Sequence, residues 1–143
     1  MSLKSWIAWE GSDIIYGILS RLFWPRNSAG GLVTRENSVL AVDMGDYLML
    51  PSGGLDYGES FREAAIRETL EETGYSIELN DRISEGINSS GGVEILFEGE
   101  LADEEKIKSE GWGEPVWIPF EEVDQRDWRY NRNVGKLLEK KES

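Results

Sequence analysis

Cysteine and histidine are both absent from this chain of 143 residues. Without cysteine there is no disulfide framework, no thiolate nucleophile and no Cys-ligated zinc. Without histidine the usual general base is gone, together with Ser/His and Cys/His triads and nearly every catalytic zinc site. Acid/base or metal chemistry here must therefore run on carboxylates. Positive charge is scarce as well: 15 Lys and Arg stand against 28 Asp and Glu, a formal net charge of -13. That balance argues against a sequence-independent grip on nucleic acid, which needs cations to neutralise phosphates. It leaves small phosphate substrates open, because a divalent cation held by carboxylates inverts the local sign. No apolar run reaches the roughly 18 residues of a membrane span. The most apolar stretch, Ile14 to Trp24, is broken by Ser20 and Arg21 and lacks the basic flank and small-residue cleavage site of a signal peptide. Cytoplasmic residence, with no membrane partner, is the expectation.

What is present suits one ordinary domain: 39% hydrophobic and 30% charged residues, in a chain long enough to bury a core. Residues 1–26 read as an N-terminal helical extension to a main domain over 27–143. Its helix would span 12–24, capped by Ser12 or Asp13, with Ile15, Leu19, Leu22 and Phe23 at helical spacing and Pro25 as the stop. Packing on the main domain is its expected role, and a homodimer contact is the alternative. From Ala29 the pattern turns to short strand-like runs, 31–35, 38–42 and 47–50, with Gly45-Asp46 as a turn signal. Further strands are expected over 76–79, 83–88, 93–101 and 116–118, and a helix over 61–73. The charged, Gly-rich segment 103–113 reads as a mobile surface loop. A final helix is expected from Phe120 or Asp127 to Lys140, with Arg129, Arg132, Lys136 and Lys140 on one face and Tyr130, Val134, Leu137 and Leu138 on the other. Interleaved strands and helices imply an α/β domain layered around a mixed sheet.

The segment GGLDYGESFREAAIRETLEETGY, residues 53–75, carries the chemistry. Ser60 and Glu63 form a capping box that starts a helix, and Gly74 stands where a left-handed stop belongs. The preceding Gly53, Gly54 and Gly58 allow tight bending and close approach of the backbone to a ligand. At about 100° per residue, Phe61, Ala64, Ala65, Glu68 and Glu72 share a face, with Glu71 at its margin. Like charges at i, i+4, here Glu68 and Glu72, cost about 0.2 to 0.5 kcal/mol in water, and more when partly buried. A cation seated among them removes that cost, and an all-oxygen donor set favours Mg²⁺ or Mn²⁺. Arg67, within i, i+4 reach of Glu63 and Glu71, would orient part of the cluster. Taken alone, RETLEE reads as a solvated Glu-rich helix, since such helices are common.

The spacing of the glycines with the glutamates separates these readings. Residues 53–75 follow Gly, five residues, Glu, seven residues, Arg-Glu, two residues, Glu-Glu, one residue, Gly. With each residue type near 7% abundance, chance agreement at one start is on the order of 10⁻⁸. The segment resembles the Nudix box of the MutT-type Nudix hydrolases. The resemblance covers 23 residues, with strands and Leu50-Pro51 before it and strands, a Trp-Ile-Pro stretch and a closing helix after it. It departs at Thr69 and Tyr75, where aliphatic residues are usual, and both are packing positions.

The resemblance implies a Nudix fold, a mixed β-sheet sandwiched between helices, over residues 27–143. It implies a pyrophosphohydrolase acting on a nucleoside diphosphate linked to another moiety. Glu68, Glu71 and Glu72 would hold Mg²⁺ or Mn²⁺, with the Gly53 carbonyl as a further ligand, and Glu59 and Arg67 would orient that set. Glu68 is the favoured general base; Glu110 and Glu114, downstream, are the alternatives. No sub-branch motif for a particular substrate stands in SEGINSSGGV, residues 84–93, which leaves a nucleoside triphosphate or small nucleotide conjugate as the favoured class. Asn131 or Asn133 would be the base-contacting Asn of the closing helix, or a solvent-facing one. Trp112, Trp117, Trp128 and Tyr130 are candidates for base stacking, with Trp117 expected in the core. The competing classes are a non-catalytic Nudix-fold module that senses a nucleotide or binds a partner, and an isoprenoid diphosphate isomerase, for which the expected catalytic Cys is missing.

Overall fold

The computed structural model describes residues 26–129 and 133–142. It contains strands β1 (Ser28–Arg35), β2 (Ser38–Asp43), β3 (Leu48–Met49), β4 (Ser52–Gly54), β5 (Tyr75–Ile87), β6 (Val93–Lys106) and β7 (Glu114–Pro119). Two α-helices, α1 (Phe61–Thr73) and α2 (Val134–Glu142), and a 3-10 helix over Phe120–Gln125 complete the described elements. The sheet order is β3-β2-β1-β6-β5, with β4 added beside β1 and β7 beside β2. Only β1 and β6 run parallel; the other pairs are antiparallel, so the sheet is mixed as expected.

β1 organises both faces. Its alternation sends Ala29 and Val33 toward α1, where Ala29 packs with Ala64, Ala65, Ile95 and Phe97, and Val33 with Leu40, Tyr75 and Ile77. Leu32 points the other way, into a cluster with Val39, Leu48, Leu50, Leu96 and Ile118. That second face is closed by Val123 of the 3-10 helix and by Val134 and Leu138 of α2. Burial of each such side chain stabilises the fold by about 1.5 to 3 kcal/mol. Helices therefore cover both faces of the sheet.

The β1–β2 hairpin turns through Glu36 and Asn37, with φ of 47° and 62°. Two consecutive left-handed residues form the connection whose twist suits paired strands. Glutamate is an unusual occupant there, so no turn signal stood at this point in the sequence.

Three expected elements have different limits. The runs 76–79 and 83–88 belong to one strand, β5, whose register shifts between Leu79 and Arg82 and again between Arg82 and Ser84. The polar Asn80-Asp81 pair marks a bulge within a strand rather than a break. β6 continues to Lys106, because Lys106 pairs with Tyr75 after a further shift, and only 107–113 of the expected loop is irregular. The closing helix begins at Val134. Residues 127–129 are unavailable to it: Leu48 donates its N–H to the Asp127 carbonyl at 2.8 Å, and Arg129 donates to the Leu48 carbonyl at 2.9 Å. Arg129 consequently leaves the expected basic face and lies over the Tyr47 ring, 4.3 Å from its centroid. Val134 and Leu138 are buried as the amphipathic pattern required. The helix expected over 12–24, with Tyr130, Asn131 and Arg132, lies outside the described residues. Among those described, no helix is long and apolar enough to cross a membrane.

Candidate active site

The glutamate helix starts where the sequence placed its cap. Ser60 Oγ accepts the Glu63 N–H at 3.1 Å, and Glu63 Oε1 accepts the Ser60 N–H at 3.2 Å. At the other end Gly74 adopts φ 79° and donates to the Leu70 carbonyl. Thirteen residues thus form one rigid element. Its buried stripe is Ala64, Ala65, Thr69 and Thr73, which seats the helix on β1 with Thr69 Oγ1 beside Gly31. The Thr69 hydroxyl is satisfied by the Ala65 carbonyl at 2.7 Å, so threonine fits a packing position without an unpaired polar group. Tyr75 is also accommodated: it is buried, edge-on to Trp117, and its hydroxyl accepts the Trp117 indole N–H at 3.2 Å.

Glu68 and Glu72 flank this stripe and are held half-buried. Between the helix and the loop before it lies Arg67, the hub of the site. Its Nε and Nη2 donate to the two oxygens of Glu59 at 2.7 and 2.8 Å, a bidentate pair of the strong, directional kind. Nη1 donates to Glu68 at 2.9 Å and to Glu71 at 3.2 Å, and Nη2 also donates to the Gly54 carbonyl at 3.0 Å. Asp56 adds an ion pair at 3.5 Å. Glu63, the other expected partner, is engaged in the capping box instead.

Glu59 is itself fixed by a tight turn. Its Oε1 accepts the Asp56 N–H at 2.9 Å, its own N–H bonds to the Asp56 carbonyl at 3.0 Å, and Gly58 takes φ 82° to let the chain turn. The Arg67 hydrogen bond holds the Glu59 carboxyl below the usual carboxylate range, against the opposing effect of burial. The same bond raises Arg67 well above its already high ordinary value.

Gly53 and Gly54 lie in the short strand β4 paired with β1. At Gly53 the expected close approach is made by a side chain of the chain itself: a Cβ there would overlap the Glu68 carboxylate. Next to it the Ser52 N–H donates to Glu72 Oε1 at 2.8 Å. β4 thus lies directly against the glutamate face.

These groups open onto a cleft of about 680 Å³, a size suited to small ligands. Its charged lining is formed by Arg67, Glu68, Glu71 and Glu72, and its apolar lining by Val42, Met44 and Met49. Residues 110–113 close one side, and Arg26 and Asp56 also line the cleft. Of the alternative bases, Glu110 lines the cleft and its N–H donates to the Glu71 carbonyl at 2.7 Å. Glu114 stands in β7 opposite Asp43 and is not among the lining residues. Asn133 caps α2, accepting the Lys136 N–H at 3.0 Å, and it too is absent from the cleft lining. Trp117 is stacked beneath Arg35, 4.2 Å from ring to guanidinium, and Trp128 spends its indole N–H on the Val123 carbonyl. Trp112 alone of the described candidate aromatics lines the cleft.

Arg26, Asp56 and the two methionines were not singled out by the sequence. Arg26 reaches the site because its backbone is pinned to the 88–92 turn, through the Ser90 hydroxyl at 3.0 Å and the Asn88 amide at 2.7 Å. No local pattern carries that long-range contact.

The donor set suits a hard divalent cation: three carboxylates line the cleft, and no His or Cys stands in the chain to compete with them. Among the described residues the carboxylates do not converge on one point as three ready ligands. Glu68 and Glu71 accept from Arg67, and Glu72 from the Ser52 amide.

The chain is similar to several known proteins. Nudix hydrolase 4 of Arabidopsis thaliana is 32% identical over 78 residues, covering 53% of this chain and 38% of that protein. An RNA pyrophosphohydrolase of Erythrobacter litoralis is 44% identical over 54 residues, covering 38% of this chain and 32% of that protein. The matched part therefore spans well under half of either relative. A solved structure of a NUDIX hydrolase from Nitrosomonas europaea superposes with a TM-score of 0.69 over 82% of this chain and 88% of that one, at 22% identity, and so shares the fold. The NUDIX domain model matches residues 24–138, a span that takes in the sheet, the glutamate helix and the cleft, and the chain belongs to that family.

Proposed function

We propose that this chain hydrolyses a phosphoric anhydride in which a nucleoside diphosphate is linked to another moiety, with a nucleoside triphosphate or small nucleotide conjugate as the favoured substrate. The carrying observation is the Arg67 hub, which is anchored on Glu59 and holds Glu68, beside Gly53, and Glu71 in the lining of the cleft. A purely solvated Glu-rich helix has no need of a half-buried arginine spending its donors on three carboxylates and a carbonyl.

In this reading Glu68, Glu71 and Glu72, with the Gly53 carbonyl, hold Mg²⁺ or Mn²⁺, and divalent metal use is general in the family. Bound there, the cation supplies charge neutralisation for the diphosphate and acidifies water. Arg67 keeps Glu68 and Glu71 together beside the cleft, which limits the rearrangement needed to draw them with Glu72 onto a cation. Glu59 anchors Arg67 and keeps it away from the substrate phosphates. Glu68 accepts the proton of the attacking water as general base. Glu110, whose backbone is bonded to Glu71 at the edge of the cleft, is the alternative acceptor.

The test is turnover of nucleoside triphosphates and nucleoside diphosphate conjugates in Mg²⁺ and then Mn²⁺, with product analysis, for wild type, Glu68→Gln and Glu72→Gln. The amide keeps an acceptor for the Ser52 N–H at position 72 and for Arg67 at position 68, so both variants fold. Each is expected to lose about 10²- to 10⁴-fold in rate, and excess chelator to stop the wild type. Full activity in either variant or in chelator refutes the proposal. A protein that binds nucleotides without cleaving them supports the non-catalytic module instead.

A further inference from the structure

Trp112 is 99% exposed, and its two neighbours are glycines packed against the charged and the apolar parts of the cleft lining. A Cβ on Gly111 would press on the Glu72 backbone, and one on Gly113 would overlap Val42 and Met44. The loop is pinned further back by the Glu110 N–H on the Glu71 carbonyl and the Ile107 N–H on the Gly74 carbonyl. A single exposed aromatic is ordinary on a protein surface. A tryptophan carried between two glycines that bridge an acidic wall and an apolar wall is a mounted side chain, and among the described residues no partner covers its ring. Met44 and Met49, polarisable and adaptable, line the same cleft.

We infer that Trp112, with the apolar wall of Val42, Met44 and Met49, forms the platform on which the base of the nucleotide stacks while its phosphates lie toward Glu68, Glu71 and Glu72. The inference rests on the proposed hydrolase reading for the direction in which the substrate lies, and it narrows that reading to substrates carrying an aromatic base. Every base offers a π-face, and the wall presents sulfur and methyl groups rather than hydrogen-bonding side chains. Recognition here is therefore tolerant of base identity and selects nucleosides over baseless polyphosphates.

The experiment compares wild type, Trp112→Ala and Trp112→Phe on ATP, GTP, CTP and UTP, with inorganic triphosphate as competitor. Because Trp112 is fully exposed, its removal costs no core packing. Trp112→Ala is expected to raise KM for all four by about five- to a hundredfold with kcat little changed. Trp112→Phe is expected to restore most of the loss, and the inhibition constant of inorganic triphosphate to stay put. An unchanged KM in Trp112→Ala, or an equal loss of affinity for inorganic triphosphate, overturns the inference while leaving hydrolysis intact. Equilibrium binding of GDP in Mg²⁺ separates the two readings. Affinity lost in Trp112→Ala without any turnover in the wild type sinks the hydrolase and keeps the platform; a wild type that binds none of these nucleotides sinks the platform.

Discussion

Gly53 and Glu68, fifteen positions apart, occupy adjoining space: the Glu68 carboxylate lies where a Cβ of residue 53 would be. The glycine is therefore required by contact with a side chain on the helix, and its φ is ordinary. Gly53→Ala is expected to push Glu68 off its position, costing about 1 to 3 kcal/mol of stability as overpacking and on the order of 10²-fold in kcat. Thermal denaturation alongside steady-state kinetics checks this; an alanine variant with wild-type kcat shows that the contact has no catalytic consequence.

Arg67 serves Glu59, Glu68, Glu71 and the Gly54 carbonyl through a planar fork. Lysine keeps the charge but offers one point donor, so it cannot grip Glu59 bidentately and reach Glu68 and Glu71 together. Arg67→Lys is expected to lower stability by about 1 to 3 kcal/mol and to reduce kcat more than it raises KM. A variant matching wild type in both respects means that charge alone suffices.

Glu59 is held below its ordinary carboxyl value of 4.5, first by the Arg67 hydrogen bond. Its folded form thus binds the proton less readily than its unfolded form. The stability this contributes is complete above the unfolded value and is lost as pH falls through the lower folded value. Denaturant melts stepped downward from about pH 6 are expected to show a shallower acid loss in Glu59→Gln than in wild type, with the variant weaker at neutral pH. Parallel curves exclude Glu59 as a source of the acid sensitivity.

The capping box is exposed and stands about two helical turns before Glu68, Glu71 and Glu72. Ser60→Ala leaves the Glu63 N–H without its side-chain acceptor and is expected to cost about 1 kcal/mol. This is a fall of roughly 3 to 5 °C in Tm for a domain of this size, with kcat unchanged because the helix is seated on β1 by Ala65, Thr69 and Thr73. Loss of activity without loss of stability contradicts that division of labour.

The helix, its caps and its acidic face were legible because each depends on residues within about four positions of one another. The single-strand reading of 93–101 and the burial of Val134 and Leu138 were legible for the same reason, as periodicity. The hairpin through Glu36-Asn37 was not, since neither residue favours the left-handed conformation strongly enough to announce it. Nor was the early end of the closing helix, where residues 127–129 bond to Leu48 across the fold.

By itself, then, the sequence determined which chemistry was open: with no cysteine or histidine, the glutamates of one capped helix and their spacing from Gly53 marked the candidate reactive apparatus. Tertiary structure alone decided what surrounds it. Arg26 comes to the cleft from the start of β1, Met44 and Met49 from the β2–β3 edge, and Trp112 from a loop glycine-mounted on both walls. Asn133 is taken up by a helix cap and Glu114 by a strand. A helix face follows from a local repeat, whereas a cleft is made by strands and loops far apart in the chain, whose meeting is set by the sheet's order and by the packing of its two faces.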